Sequence, residues 1–236
     1  MKKSVTALVA AYNEEKYLAK AVHAYDKLLR ETIDDYEIII IDDGSIDKTG
    51  MIADELARKN KRVRVVHNKG NKGLGYNYRL GVRLAKKNYV LVLPGENEVL
   101  SESIKENLRE IGKADLIIPY IATPKQRPLY RQIVTWSFRT MLNILFGLHL
   151  KYYNGHVIHT TRFVRKVKMS TNSFAYQAEV LIRLLKGKRK LSYIEVPYRC
   201  RKSKGKSSCF KLKNLIGVTR LVTRLFFEIR FKKSKE

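Results

Sequence analysis

Glu37-Ile38-Ile39-Ile40-Ile41-Asp42-Asp43-Gly44-Ser45 joins an unbroken apolar run to two carboxylates and a turn. Four successive isoleucines leave no polar face, so the run predicts a strand covered on both sides. Asp, Gly and Ser then supply turn chemistry. The same pattern recurs outward in both directions. Val5–Ala11 ends at Tyr12-Asn13-Glu14, and Val63–Val66 leads into Asn68 to Gly75. Tyr89–Leu93 is stopped by Pro94-Gly95 ahead of Glu96-Asn97-Glu98, and Asp115–Pro119 is a fifth run. Helical spacing fills the gaps. It runs over Glu14–Leu29 through Leu18, Ala21, Val22, Tyr25 and Leu29, over Thr49–Lys59 behind Ser45 or Asp47 as cap, over Gly73–Lys87, and after Ser101. This alternation predicts an α/β fold: a mostly parallel sheet flanked by helices, with right-handed crossovers. Ligands of such sheets bind at the carboxyl ends of the strands, where acidic clusters gather here.

The chain has 236 residues, 44% of them hydrophobic, which suits one domain with a proper core. Lys and Arg number 48 against 22 Asp and Glu, a net charge of +26. Residues 1–118 hold 21 basic and 18 acidic side chains, whereas residues 119–236 hold 27 and 4. So cationic a half predicts a polyanionic partner: phospholipid headgroups, nucleic acid or a phosphorylated substrate. Helices are expected at Arg131–Leu148 and Tyr176–Leu185, a strand at Lys190–Val196 and a basic loop at Arg199–Ser208. The last segment carries Leu215, Val218, Leu221, Val222, Leu225 and Ile229 at helical spacing, among Arg220, Arg224 and Arg230. Such a basic amphipathic helix suits either packing on the domain or lying in an anionic bilayer interface. Trp136 and its neighbours admit the same two readings. Cys200 and Cys209 make no disulfide scaffold, and reduced thiols suit the cytosol. The apolar run from Val5 is too short for a signal peptide, and no stretch of about 20 apolar residues predicts a membrane span.

Asp42 and Asp43, at a strand end, can accept hydrogen bonds from a nucleotide base and a ribose hydroxyl. They serve equally well as a turn and helix cap. Glu96 and Glu98 suit a hard divalent cation, Mg2+ or Mn2+, which would bridge a diphosphate and neutralise a leaving group. The plainer alternative is a solvated acidic turn. Arg127 and Arg131, then Arg199, Arg201, Lys202, Lys204 and Lys206, are candidate phosphate ligands, although each alone would pass for a charged surface residue. His156 and His159 form an H-x-x-H pair with no further zinc ligand nearby and read as structural; His23, His67 and His149 belong to no motif. Gly73-Leu74-Gly75 falls short of a dinucleotide fingerprint, because the third glycine would fall at Tyr78 and the motif follows the third strand.

Taken together, Ala10-Ala11-Tyr12-Asn13-Glu14, Ile41-Asp42-Asp43-Gly44-Ser45-Ile46-Asp47-Lys48-Thr49, Asn71-Lys72-Gly73-Leu74-Gly75 and the acidic turn at Glu96 resemble the family-2 glycosyltransferases of GT-A (Rossmann-like) fold. The resemblance covers about residues 4–120. Phe174 to Glu179, Glu195-Val196-Pro197 and Gly205-Lys206-Ser207-Ser208 look like the polyprenyl-phosphate sugar synthase branch, typified by dolichol-phosphate mannose synthase. The resemblance implies that Tyr12 and Glu14 contact the base and ribose of a nucleotide sugar, that Asp43 receives the base, and that Gly73 belongs to the substrate site. Glu96 would be the second acid of the family's Asp-x-Asp metal motif, with Pro94 in place of the first. Glu98 sits where a metal-contacting Gln often lies. Glu179 matches an acid of the acceptor half, and Lys202, beside Arg201, stands where an Arg usually precedes Gly-x-Ser.

The expectation is a metal-assisted, inverting transfer of a sugar from a UDP- or GDP-linked donor to a lipid-linked acceptor such as polyprenyl phosphate. Transfer to a saccharide hydroxyl, with Glu179 as base, is the other enzyme reading. Residues 1–200 would form the catalytic domain, divided near residue 120 into nucleotide-sugar and acceptor halves. Residues 201–236 would add the basic loop and terminal helix, holding the enzyme on the anionic cytoplasmic face of the membrane. Net charge alone would also suit a nucleic-acid-binding protein, but an acidic sheet edge is the wrong surface for phosphate backbones and no such motif appears.

Overall fold

The computed structural model describes residues 3–94, 101–199 and 212–231. Glu96, Glu98, Arg201, Lys202, both cysteines and most of the basic loop lie outside the described residues. The predicted runs form strands β1 (Ser4–Ala11), β2 (Asp35–Asp42), β3 (Val63–His67), β4 (Tyr89–Pro94) and β5 (Leu116–Ile121). With β6 (Ile158–Thr160) and β7 (Tyr193–Tyr198) they make one sheet in the order β3-β2-β1-β4-β6-β5-β7. All pairings are parallel except those of β6, which runs antiparallel to β4 and β5. Three residues are too few for periodicity to show, which is why β6 was not expected.

The helices are α1 (Leu18–Thr32), α2 (Thr49–Lys59), α3 (Leu74–Leu84), α4 (Ser101–Arg109), α5 (Leu129–Phe146), α6 (Thr161–Val164), α7 (Tyr176–Leu185) and α8 (Leu212–Phe231). The isoleucine run alternates between two cores. Ile38 and Ile40 join Val5, Val9 and the inner faces of α1, α2 and α4; Ile39 and Ile41 join Leu8 and the inner faces of α3, α5, α7 and α8. Each fully buried isoleucine contributes about 1.5–3 kcal/mol, which holds the run central in the sheet. Glu37 is the polar exception. Burial alone would raise its carboxyl pKa, but the Lys86 N–H, the Thr6 hydroxyl and the Arg64 guanidinium hold it below the usual range.

Of the two readings for the terminal helix, packing describes α8 in this structure. Leu221, Val222 and Leu225 are buried in the second core. Glu228 accepts an ion pair from Arg183 at 2.9 Å, and Arg224 donates to the Ser170 hydroxyl at 2.7 Å.

Candidate functional site

Parallel register brings the tips of β1, β2 and β4 level, with Ala11 beside Asp42 and Ala10 beside Pro94. The order of the strands reverses at β1, so the crevice between β1 and β4 is the topological switch point where open α/β sheets bind ligands. Residues 14–17 do not begin the helix, as their spacing suggests, because residues 13–15 are stitched to the segment after β2. The Asn13 N–H donates to Ser45 Oγ at 3.0 Å and Glu14 N–H to Thr49 Oγ1 at 2.7 Å, and Asn13 Oδ1 accepts from Ile46 N–H at 3.0 Å. Asn13 takes a left-handed φ of 57° to do so, and Tyr12 is left exposed at the tip of β1. Ser45 therefore does not cap α2; the N-cap position is Lys48, and Asp47 just ahead of it accepts from Thr49 N–H at 2.9 Å.

Asp42 and Asp43 are both buried, and loop groups use them. Asp42 accepts from Ser45 N–H at 3.0 Å and faces His67 Nδ1 at 2.9 Å, while His67 Nε2 faces Asp54 at 3.1 Å. Carboxylates only accept, so both contacts are hydrogen bonds only when the imidazole is doubly protonated. The Asp42 bond, opposed by burial and aided by Asp54, raises the His67 pKa. Through its contacts with Ser45 and His67, Asp42 positions the turn. Asp43 accepts from Asn68 Nδ2 and Lys72 N–H at 2.8 Å and from Gly73 N–H at 2.9 Å. That uses three of about four acceptor sites. Gly73 is also explained by packing, since a Cβ there would lie 2.6 Å from the Asn172 carbonyl oxygen.

A cavity of about 590 Å³ opens beside these tips. Ala10, Glu14 and Pro94 form its sheet-edge wall, and Arg127, just ahead of α5, and Arg131 and Arg139, within it, line it from the other side. Leu74, Val134, Phe138, Phe174, Tyr176 and Val218 supply apolar surface. The structure thus unites Glu14, Arg127 and Arg131 in one cavity. Tyr12 and Asp43 stand on the neighbouring strand tips.

Arg139 escaped the sequence reading because it lies inside an apolar helix. His156 was read as structural, yet it lines the same cavity. Its Nδ1 lies 2.9 Å from the Val92 carbonyl, which can only accept, so Nδ1 carries the proton and Nε2 is the acceptor. Burial lowers its pKa and keeps the ring neutral. His159 is structural: fully buried, 3.0 Å from the Tyr78 hydroxyl, with its pKa pushed down by burial to about 3.

Glu179 is the clearest correction. Its side chain is fully buried and does not line the cavity. Its oxygens accept from Ser170 N–H, Ser170 Oγ and Thr171 N–H, and from Arg183 Nε at 3.0 Å. Burial pushes its pKa up, but these donors outweigh burial and hold it below the usual range. With no exposure and its lone pairs engaged, it cannot receive a proton from an acceptor hydroxyl. Among the described residues no group of three or more His, Cys, Asp or Glu is placed to hold a metal ion.

The family model for glycosyl transferase family 2 matches residues 6–173. The chain is 32% identical over 114 residues to the uncharacterized glycosyltransferase EpsJ of Bacillus subtilis, covering 48% of this chain and 32% of EpsJ. It is 26% identical over 205 residues, 82% of each chain, to undecaprenyl-phosphate mannosyltransferase of Micrococcus luteus. Relatives of the EpsJ kind are longer, and the chain spans about a third of their length. In fold it resembles glucosyl-3-phosphoglycerate synthase of Mycobacterium tuberculosis, solved with Mn2+, UDP and phosphoglyceric acid, at TM-score 0.70 and 15% identity over 96% of this chain and 78% of that one. With the GT-A fold and the family model agreeing over most of its length, the chain belongs to glycosyl transferase family 2.

Proposed function

We propose that the protein transfers a sugar from a nucleoside diphosphate sugar, UDP- or GDP-linked, to a polyprenyl-type lipid phosphate at the cytoplasmic face of a membrane. The observation that carries this reading is the cavity beside the β1 and β4 tips, cationic along and just ahead of α5 and largely apolar elsewhere. Arg131 and Arg139 are eight residues apart, on the order of 12 Å along the axis. Together with Arg127 they offer successive positions for a donor diphosphate and an acceptor phosphate. Guanidinium forks suit both, while the apolar wall suits a prenyl chain. The similarity to an undecaprenyl-phosphate mannosyltransferase, over 82% of each chain, supports the same acceptor class.

In this reading Tyr12 and Glu14 hold the base and ribose, and the remaining acceptor site of Asp43 takes a base N–H. An oxygen of the acceptor phosphate attacks the anomeric carbon from the face opposite the diphosphate. The carbon–oxygen bond to the diphosphate breaks as the new one forms, and configuration inverts without a covalent enzyme intermediate. The nucleophile is already anionic, so no base is needed, which agrees with the engaged Glu179. The arginines offset repulsion between the two phosphates and stabilise charge as it develops on the leaving diphosphate. A divalent cation held by Glu96 and Glu98 would neutralise part of that charge. A saccharide hydroxyl acceptor would need another base, and Glu14 is the one carboxylate among the described residues lining the cavity.

The test is sugar transfer to a short-chain prenyl phosphate. Arg139→Ala should raise the acceptor KM about tenfold or more, the loss of one charge-assisted contact, and leave the donor KM within about twofold. Equal damage to both, or transfer to a sugar alcohol in place of the phosphate, would overturn the assignment.

A further inference from the structure

We propose that the outward face of α5 seats the protein on an anionic lipid bilayer. The inference deepens the lipid-acceptor reading, on which it rests, by naming the surface that meets the lipid. Eight residues of this 18-residue helix are exposed, and seven of them are large and apolar; the eighth is Ser137. They include Leu129, Ile133, Trp136 (59% exposed) and Ile144 (77% exposed). At 100° per residue they fall on one side of the helix, and Leu142 and Phe146 on the other side enter the core. No charged residue lies on the exposed side. A continuous apolar strip, about 27 Å long for a helix of this length, is unusual on a surface that stays in water. No helix among the described residues is long and apolar enough to cross a membrane, so the strip fits lying on one.

Charge chooses between lipid and a second copy of the chain. Residues 119–236, which include α5, carry 27 basic and 4 acidic side chains. Two copies meeting through this face would bring two such halves together, whereas an anionic bilayer complements them. The cavity also reaches this face. Val134 and Phe174 are both exposed and both part of its lining, so its mouth opens where the strip would meet lipid. A lipid-borne phosphate could then reach the arginines without its chain crossing water.

Trp136 is the only tryptophan of the chain, so its emission reports this face alone. The full chain is mixed with phosphatidylglycerol–phosphatidylcholine vesicles, with phosphatidylcholine vesicles, and with vesicles whose chains are brominated. Docking predicts a blue shift on the anionic vesicles, quenching by brominated chains, and roughly tenfold weaker binding to the neutral ones. Ile133→Asp with Ile144→Asp, both at exposed positions, should weaken vesicle binding about tenfold or more with an unchanged melting temperature. Trp136 emission that ignores anionic vesicles would overturn the proposal. So would vesicle binding that survives the double substitution, or a lipid-free dimer that the same substitution dissolves. Transfer to a water-soluble short-chain prenyl phosphate, without vesicles, separates the two inferences. It should persist in the double variant; if the unmodified chain lacks it, the acceptor assignment fails while the fluorescence still judges the docking face.

Discussion

Glu179 shows how a residue can match a family position and still be barred from the chemistry expected of it. Its carboxylate braces the segment from Ser170 to Thr171, and a buried acceptor with four donors around it has no spare basicity. Glu179→Gln would point an amide N–H2 at backbone donors and unpair Arg183. We expect a loss of about 2–4 kcal/mol in urea unfolding; an unchanged midpoint would refute the bracing role. His67 makes a different prediction. Its pKa is raised in the folded state, first by the Asp42 bond, so its stabilisation is complete below the unfolded value near 6.5 and is lost as pH rises through the higher folded value. Melting temperature measured from pH 5 to 9 should fall across that window, and His67→Gln should flatten the fall. Parallel curves for the two proteins would count against the bridge to Asp42 and Asp54.

At the scale of elements, the loops beside the β1 and β2 tips are held by contacts between segments distant in sequence. The turn before α3 packs against the segment before α7: Gly75 N–H donates to the Asn172 carbonyl at 3.0 Å, and Arg79 donates to the Thr171 carbonyl at 2.7 Å. Glu179 braces that segment from within, and Arg224 of α8 reaches it from outside. A Cβ on Gly75 would lie 2.3 Å from the Thr171 oxygen, whereas one on Gly70 would meet nothing within 4 Å. Gly75→Ala should therefore cost about 1–3 kcal/mol and weaken nucleotide binding, because the same turn carries the Gly73 N–H that Asp43 accepts. Gly70→Ala is the matched control and should leave both unchanged; similar losses in the two variants would show that the close approach is not the cause.

Over the whole molecule, a near-neutral half carrying the acidic strand tips is joined to a strongly basic half carrying the arginine-lined cavity wall. Such a division suits a reaction between two anionic substrates, one of them in a lipid surface. It also separates the contributions to donor binding. UDP or GDP with Mn2+ should raise the melting temperature, by an amount equivalent to about 2.7 kcal/mol at a ligand concentration of 100 Kd. Glu96→Ala should remove the metal-dependent part of that rise and keep the metal-free part. A full Mn2+ increment in that variant would show that Glu96 does not hold the cation.

The amino-acid order alone determined the layers. Unbroken Val and Ile runs have one stable use, as strands covered on both faces, and the helical spacing between them leaves few connections to choose from. It also placed Tyr12, Glu14 and Asp43 at strand tips and put Arg127 and Arg131 ahead of, and in, an apolar helix. Only the tertiary structure decided which polar groups remain available. Glu179 looks like a reactive carboxylate in the chain, but Ser170, Thr171 and Arg183 donate to it in the fold, and Asp42 is drawn to Ser45 and His67. Arg139 and His156 look ordinary, but helix packing and the segment leading into β6 bring them to the cavity. Local periodicity reports which face of an element is buried; whether a buried acid is still able to act depends on the donors the folded chain brings to it, some a few residues off, as for Glu179, and some 25 to 30 away, as for Asp43, and no periodicity records them.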